Sequence, residues 1–325
     1  MKKLSILILF IGTSLLFGCS PATLFQVDMK FDSEKVQAHY ENGEFEEALS
    51  YIDERIEKYP NDASLHGERG YLLLELGRAD EALVSLDKSL EIDPAFEASL
   101  SNKSWALNEL GRFEEAIDFA KEAINLKPDD DTEYINMGNA LSAMNRDQEA
   151  LTYYEEALKI NPNSEYAFYG KGIANYFIGE YETALEALNK YNELIPGDID
   201  ALWYLMYIHD EIGNLEEVVA FSNQIIALDP SQIDAYYYKG SVLVDLNKVE
   251  EAVNVYDTMI EKFPESPYGY YGKSLTLMYM EQKEEALKLL TKTIEIDPSY
   301  KDWAYEDPMF HNLIEDDAFL EIIGY

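Results

Sequence analysis

Gly111-Arg112-Phe113-Glu114-Glu115-Ala116-Ile117, followed eleven residues later by Pro128, is the stretch that decides the fold. Thirty-four residues earlier, Gly77-Arg78-Ala79-Asp80-Glu81-Ala82-Leu83 leads to Pro94 in the same register. The proline returns at Pro60, Pro94, Pro128, Pro162, Pro196, Pro230, Pro264 and Pro298, always at an interval of 34. A fixed period of this length marks an array in which each unit is one supersecondary element.

Three further columns keep the register. Twelve residues before each proline stand Ala48, Ala82, Ala116, Ala150, Ala184, Val218, Ala252 and Ala286. Seventeen before it stand Gly43, Gly77, Gly111, Asn145, Gly179, Gly213, Asn247 and Glu281. Gly and Asn tolerate the left-handed backbone that ends a helix. Twenty-four before it stand Val36, Gly70, Ser104, Gly138, Gly172, Met206, Gly240 and Ser274, a mostly small set that lets helices approach closely. Glu pairs such as Glu46-Glu47 and Glu284-Glu285 suit the positive end of a helix dipole, and a following proline cannot continue a helix. Each unit is therefore expected to run helix, Gly/Asn turn, helix, proline.

On these residues the chain resembles the tetratricopeptide repeat (TPR) family, over about residues 29–300 as eight units. The resemblance implies an all-α superhelical solenoid of helix-turn-helix repeats. No unit carries the family's first-helix Trp; Tyr134, Phe168, Tyr236 and Tyr270 stand in that column. The unit ending at Pro230 departs most, with Met206 and Val218 in the small-residue columns. Its helices are expected either to sit slightly farther apart or to compensate in their packing.

At 325 residues the chain is long for one ordinary domain and normal for one solenoid. With 47% hydrophobic residues it has material for a continuous core. A net charge of −38, from 63 acids against 25 bases, argues against binding nucleic acid, whose phosphates demand a basic surface. It equally disfavours adsorption on anionic lipid and favours a basic partner.

Residues 1–18 are a separate object. Lys2 and Lys3 precede an apolar run from Leu4 to Phe17, too short for a comfortable membrane span and suited to an export signal. The run ends in Leu16-Phe17-Gly18-Cys19, and Cys19 is the only cysteine. This resembles the bacterial lipoprotein signal, which implies cleavage before Cys19, diacylglycerol on its thiol, and palmitate-type acyl chains. Two or three acyl chains anchor stably where one does not. The expected location is the cell membrane or envelope, exported and lipid-anchored. Residues 19–28 read as a tether. Residues 301–325, with Trp303, Phe310, Leu313, Ile314, Phe319, Ile322 and Ile323, read as a segment capping the last repeat, and resemble end segments of bacterial TPR proteins.

No constellation for catalysis or metal binding is visible. His39, His66, His209 and His311 are scattered, a lone Cys makes no thiolate cluster, and no glycine-rich phosphate loop or nucleophile elbow occurs. Asp129-Asp130-Asp131 lacks the spaced ligands of a calcium loop and reads as a helix start. No cofactor, metal or catalytic residue is expected.

The TPR resemblance implies that first helices line an inner groove. In that register one row holds Tyr169, Trp203, Tyr237 and Tyr271, another Tyr71, Trp105, Asn139 and Tyr207, and Tyr166, Tyr204, Tyr238 and Tyr268 join them. Asp200, Asp210, Glu211, Asp234 and Asp245 lie among the later aromatics. Tyr and Trp dominate interface hot spots, and with acids beside them they hold Lys or Arg. A carboxylate clamp of the kind one TPR subclass uses is disfavoured. Asn102, Asn136 and Asn139 resemble its asparagines, but its basic residues are missing. The expected function is a non-enzymatic scaffold that binds a basic or aromatic peptide or protein surface. The competing expectations are capture of a glycan or small ligand, a regulatory enzyme subunit, and a cytoplasmic adaptor.

Overall fold

A computed structural model of the protein describes residues 36, 38–40 and 42–324. The expected export signal, Cys19 and the tether lie outside the described residues. Among the described residues there are helices and turns and no strand, and no helix is long and apolar enough to cross a membrane.

The chain divides into two compact units between Ile178 and Gly179. The first carries α1 (Phe45–Lys58), α2 (Ala63–Glu75), α3 (Ala79–Ile92), α4 (Glu97–Glu109), α5 (Phe113–Leu126), α6 (Asp131–Ala143), α7 (Asp147–Ile160) and α8 (Glu165–Ile178). The second carries α9 (Tyr181–Leu194), α10 (Ile199–Glu211), α11 (Leu215–Leu228), α12 (Ile233–Asp245), α13 (Val249–Lys262), α14 (Pro267–Tyr279), α15 (Lys283–Ile296) and α16 (Tyr300–Glu306). A 3₁₀ turn over Pro308–Leu313 and α17 (Asp317–Ile323) complete it. The division falls at the turn inside the fifth repeat.

The turn column explains the hairpins. Gly43, Gly77, Gly111, Asn145, Gly179, Gly213, Asn247 and Glu281 all have φ between +57° and +85°. Each therefore ends its first helix in the left-handed region. Glu281 is the one member with neither glycine's freedom nor a short polar side chain. At the other junction, aspartates open first helices: Asp62 accepts from the Ser64 N–H, Asp130 from Thr132, and Asp198 from Ala201. These side chains satisfy amides that the helix itself leaves without acceptors.

Neighbouring repeats are tied by a pair that recurs at a separation of 16 residues. Arg69 meets Asp53 at 2.7 Å, Lys103 meets Asp87 at 2.5 Å, Lys171 meets Glu155 at 3.5 Å, and Lys273 meets Asp257. Lys239 occupies the same column, but Asn223 stands where its acid belongs. Burial pushes the Lys239 ammonium down, with only Glu251 opposing.

Packing between helices works by exchange of volume. The Tyr154 ring, 1% exposed, lies between Gly138 and Gly170; a Cβ on either glycine would come within 2.5 Å of it. Tyr256 lies in the same way between Gly240 and Gly272. In the repeat ending at Pro230 the exchange is reversed. Met206 takes the glycine's place, and Ser222 takes the ring's, its hydroxyl 3.3 Å from the Met206 sulfur. Both are fully buried. The bulk of Met206 is thus met by lost bulk opposite, and the helices need no added separation.

The end of the chain folds over the last repeat. Phe310 and Phe319 are fully buried and stacked 5.5 Å apart, in one cluster with Leu287, Leu290 and Ile294 of α15. Lys283 pairs with Asp316. Trp303 and Ile314, grouped with the apolar tail residues in the sequence, are instead largely exposed.

Candidate functional site

In the second unit, α10, α12 and α14 are successive first helices. Trp203 and Tyr207 sit one turn apart on α10, ring centroids 5.5 Å apart. Tyr238 of α12 completes the group, 6.0 Å from Trp203 and 5.7 Å from Tyr207. Each of the three is half-buried, so each offers an open ring surface while its position is fixed by the other two. A second group follows, with Tyr237 lying 6.2 Å from Tyr256 and 5.8 Å from Tyr268. Tyr204 is half-buried on α10, and Tyr268 is 41% exposed.

Tyr271 belongs elsewhere. It is 4% exposed, 5.0 Å from Tyr300, and its hydroxyl donates to Asp307 Oδ2 at 2.9 Å. The folded-back tail covers it, so this tyrosine is core and presents no surface to a partner. Tyr166 and Tyr169 lie on α8 of the first unit and are half-buried.

The acids of the second unit stand around the rings. Asp200, Asp210, Glu211, Asp234 and Asp245 are all exposed. None of them is ion-paired with a Lys, Arg or His among the described residues. Burial pushes the Tyr238 phenol up, and the charges of Asp210, Asp234 and Glu211 add to this. The Tyr204 phenol is raised by burial and then by Asp200. Asp210 is itself pushed up by burial, then by Glu211 and Asp245. A carboxyl raised by its acidic neighbours marks a negative potential, which a cation relieves. The tyrosine hydroxyls stay protonated and remain donors.

The first unit has its own row. Tyr40 packs edge-on against Tyr71 at 5.7 Å, and Tyr71 tilts against Trp105 at 6.3 Å. Tyr71 and Trp105 share the column of Tyr207 in the repeat register, and the TPR resemblance implied that this column lies on the inner face. Other residues carried no such signal. Glu133 on α6 is 0% exposed with no hydrogen-bond partner on either oxygen, and burial pushes it to about 8. Glu68 on α2 is 9% exposed and accepts from the Tyr40 hydroxyl. Asn102 and Asn136 are buried, while Asn139 is exposed and accepts from the Tyr154 hydroxyl at 2.8 Å. A carboxylate clamp would need these amides open beside bases.

Three of the four histidines have individual structural partners. His66 Nε2 lies 2.9 Å from the Pro60 carbonyl, His209 stacks on Phe221, and His39 Nδ1 meets Glu44 at 2.7 Å. No group of three or more His, Cys, Asp or Glu is arranged to hold a metal among the described residues. What this arrangement can do chemically is bind: it offers rings, hydroxyl donors and unneutralised carboxylates.

Family models described as tetratricopeptide repeat match residues 34–97, 73–141, 132–164, 234–266 and 267–300. The chain belongs to the tetratricopeptide repeat family, a protein–protein interaction fold. No curated protein sequence matches it. Among solved structures it is similar to PilW, a widely conserved type IV pilus biogenesis factor. That likeness has 19% identity and a TM-score of 0.56, over 63% of this chain and 96% of that one. It is also similar to PilF of Pseudomonas aeruginosa, at 19% identity and a TM-score of 0.55, over 64% and 95%. At that identity the likeness is one of fold.

Proposed function

We propose that this protein is a non-enzymatic adaptor of the bacterial cell envelope, held at the membrane by lipid on Cys19. It binds a basic or aromatic peptide segment or protein surface on the first-helix face of its second unit. The observation that carries the reading is the Trp203–Tyr207–Tyr238 group: three half-buried rings in mutual contact among five exposed acids that have no ion-pair partner among the described residues. Rings held this way contribute contact area at low entropy cost, and the unpaired acids favour Lys or Arg alongside them. Truncating one true anchor costs about 2 kcal/mol of binding.

The test is capture of partners from detergent-solubilised envelope by wild type and by a Trp203→Ala/Tyr207→Ala/Tyr238→Ala variant of matched stability. A partner retained by wild type and lost by the variant supports the reading. The same partners on both would place binding elsewhere. Cell fractionation of Cys19→Ala tests the anchor, and an unchanged location would end that part of the proposal.

A further inference from the structure

Glu68 and Glu75 of the first unit are carboxylates that the second unit's face does not involve. They stand two turns apart on one side of α2. Tyr40 donates to Glu68 Oε1, and Glu75 Oε1 is buried without a hydrogen-bond partner. Burial pushes Glu68 up to about 7, against the pull of the Tyr40 hydrogen bond. Burial raises Glu75 as well, against a hydrogen bond from Tyr71. The Tyr40, Tyr71 and Trp105 rings form a continuous wall beside them, and Tyr166 of α8 lies close enough to feel the Glu75 charge.

Among the described residues, Arg69, Lys103 and Arg78 are engaged elsewhere. Arg69, next to Glu68 in the chain, turns to Asp53 of α1 and Ser85 of α3. Lys103 of α4 meets Asp87 and sits 4.0 Å over the Phe119 ring. Arg78 is forked onto Glu81 and lies 3.7 Å from Glu46. Among the described residues, the titratable groups facing the two acids are thus Tyr40, Tyr71 and Tyr166, and no cation is among these. A buried carboxylate and a half-buried one, with no counter-charge among the described residues and beside electron-rich rings, are complementary to a weakly hydrated planar cation.

We propose that the α2 face bearing Glu68, Tyr71 and Glu75, walled by Tyr40, Trp105 and Tyr166, is a binding site for an arginine side chain of a partner polypeptide. The site is independent of the second unit's face. A guanidinium beside Glu68 favours its ionised form, so binding releases a proton and tightens as pH rises. For a group that titrates near 7 when free and stays ionised when bound, affinity rises about tenfold between pH 6 and 8.

The experiment is calorimetric titration of the full chain with hexaarginine amide at pH 6 and pH 8 and constant ionic strength. The protein carries Trp203→Ala/Tyr207→Ala/Tyr238→Ala, so that the second unit's face does not contribute. Glu68→Gln/Glu75→Gln is compared with Glu54→Gln/Glu122→Gln, which removes the same charge from exposed positions of α1 and α5. The expected result is about tenfold tightening with pH that disappears in the first variant and persists in the second. Hexalysine amide should bind more weakly than hexaarginine amide. Trp105→Leu keeps both acids and should weaken binding about threefold, which serves as the test if the double amide variant does not fold. Absent binding, pH-independent binding, equal losses in both charge variants, or equal affinity for the two peptides would each overturn the proposal.

Discussion

Glu133→Gln should stabilise this protein, and increasingly so as pH rises. Glu133 is 0% exposed, with neither oxygen hydrogen-bonded and only the nearby Ser101 hydroxyl and Lys127 favouring its charge. Burial raises it from 4.5 to about 8, and the charges of Asp130 and Glu97 add to this. The folded protein therefore keeps a proton that the unfolded chain sheds above 4.5. The unfolded state binds fewer protons across that window, so stability falls as pH rises from about 4.5 to about 8. At 1.36 kcal/mol per pH unit, the cost of Glu133 is about 1 kcal/mol at pH 5 and about 4 kcal/mol at pH 8. Glutamine matches the protonated carboxyl in shape and does not titrate. The variant should therefore gain about 3 kcal/mol on wild type between pH 5 and pH 8. Urea unfolding followed by circular dichroism at both pH values measures this, because every other titrating group is common to the two proteins and cancels. Parallel pH profiles for variant and wild type would refute the reasoning.

Three further substitutions test the repeat geometry. Gly170→Ala adds a Cβ 2.4 Å from a Tyr154 ring already confined by Gly138. Overpacking at about 1–3 kcal/mol outweighs the roughly 1 kcal/mol that alanine gains in a helix. The melting temperature should fall, and Tyr154→Leu in the same chain should restore part of it. Glu281→Gly relieves a left-handed φ of +59°. It should stabilise by about 0.5–1 kcal/mol after the entropy cost of glycine, measured by thermal melting. Asn223→Asp supplies the acid missing beside Lys239. It should stabilise by about 0.5 kcal/mol and raise the Lys239 pKa, read by NMR titration of its ammonium.

The hairpin order was legible because two positions in every unit have strict backbone demands. A proline cannot continue a helix, and a left-handed residue must end one, so both columns survive where the packing residues vary. Packing itself was legible only in part. Met206 reads as a defect until Ser222, sixteen residues on and facing it, is seen to have given up the same volume. The aromatic rows followed from the register, yet Tyr268 and Tyr271, three residues apart, have opposite fates. The difference depends on the tail folding back to bring Asp307, Phe310 and Tyr300 against Tyr271, which no local pattern encodes. The buried acids were the least visible. A glutamate in an amphipathic helix normally marks the solvated side, and nothing near Glu68 or Glu133 in the chain distinguishes them from the many exposed acids of this protein.

In the proposed function, another polypeptide binds on the first-helix face of the second unit. Site-specific photo-crosslinking in the native host tests this directly. A benzophenone side chain replaces Ser241, exposed on α12 in the column of Tyr207, or Asn254, exposed on α13. A light-dependent covalent adduct with another polypeptide is expected from position 241 and none from position 254. Adducts from position 254 alone, from both positions equally, or from neither would contradict it.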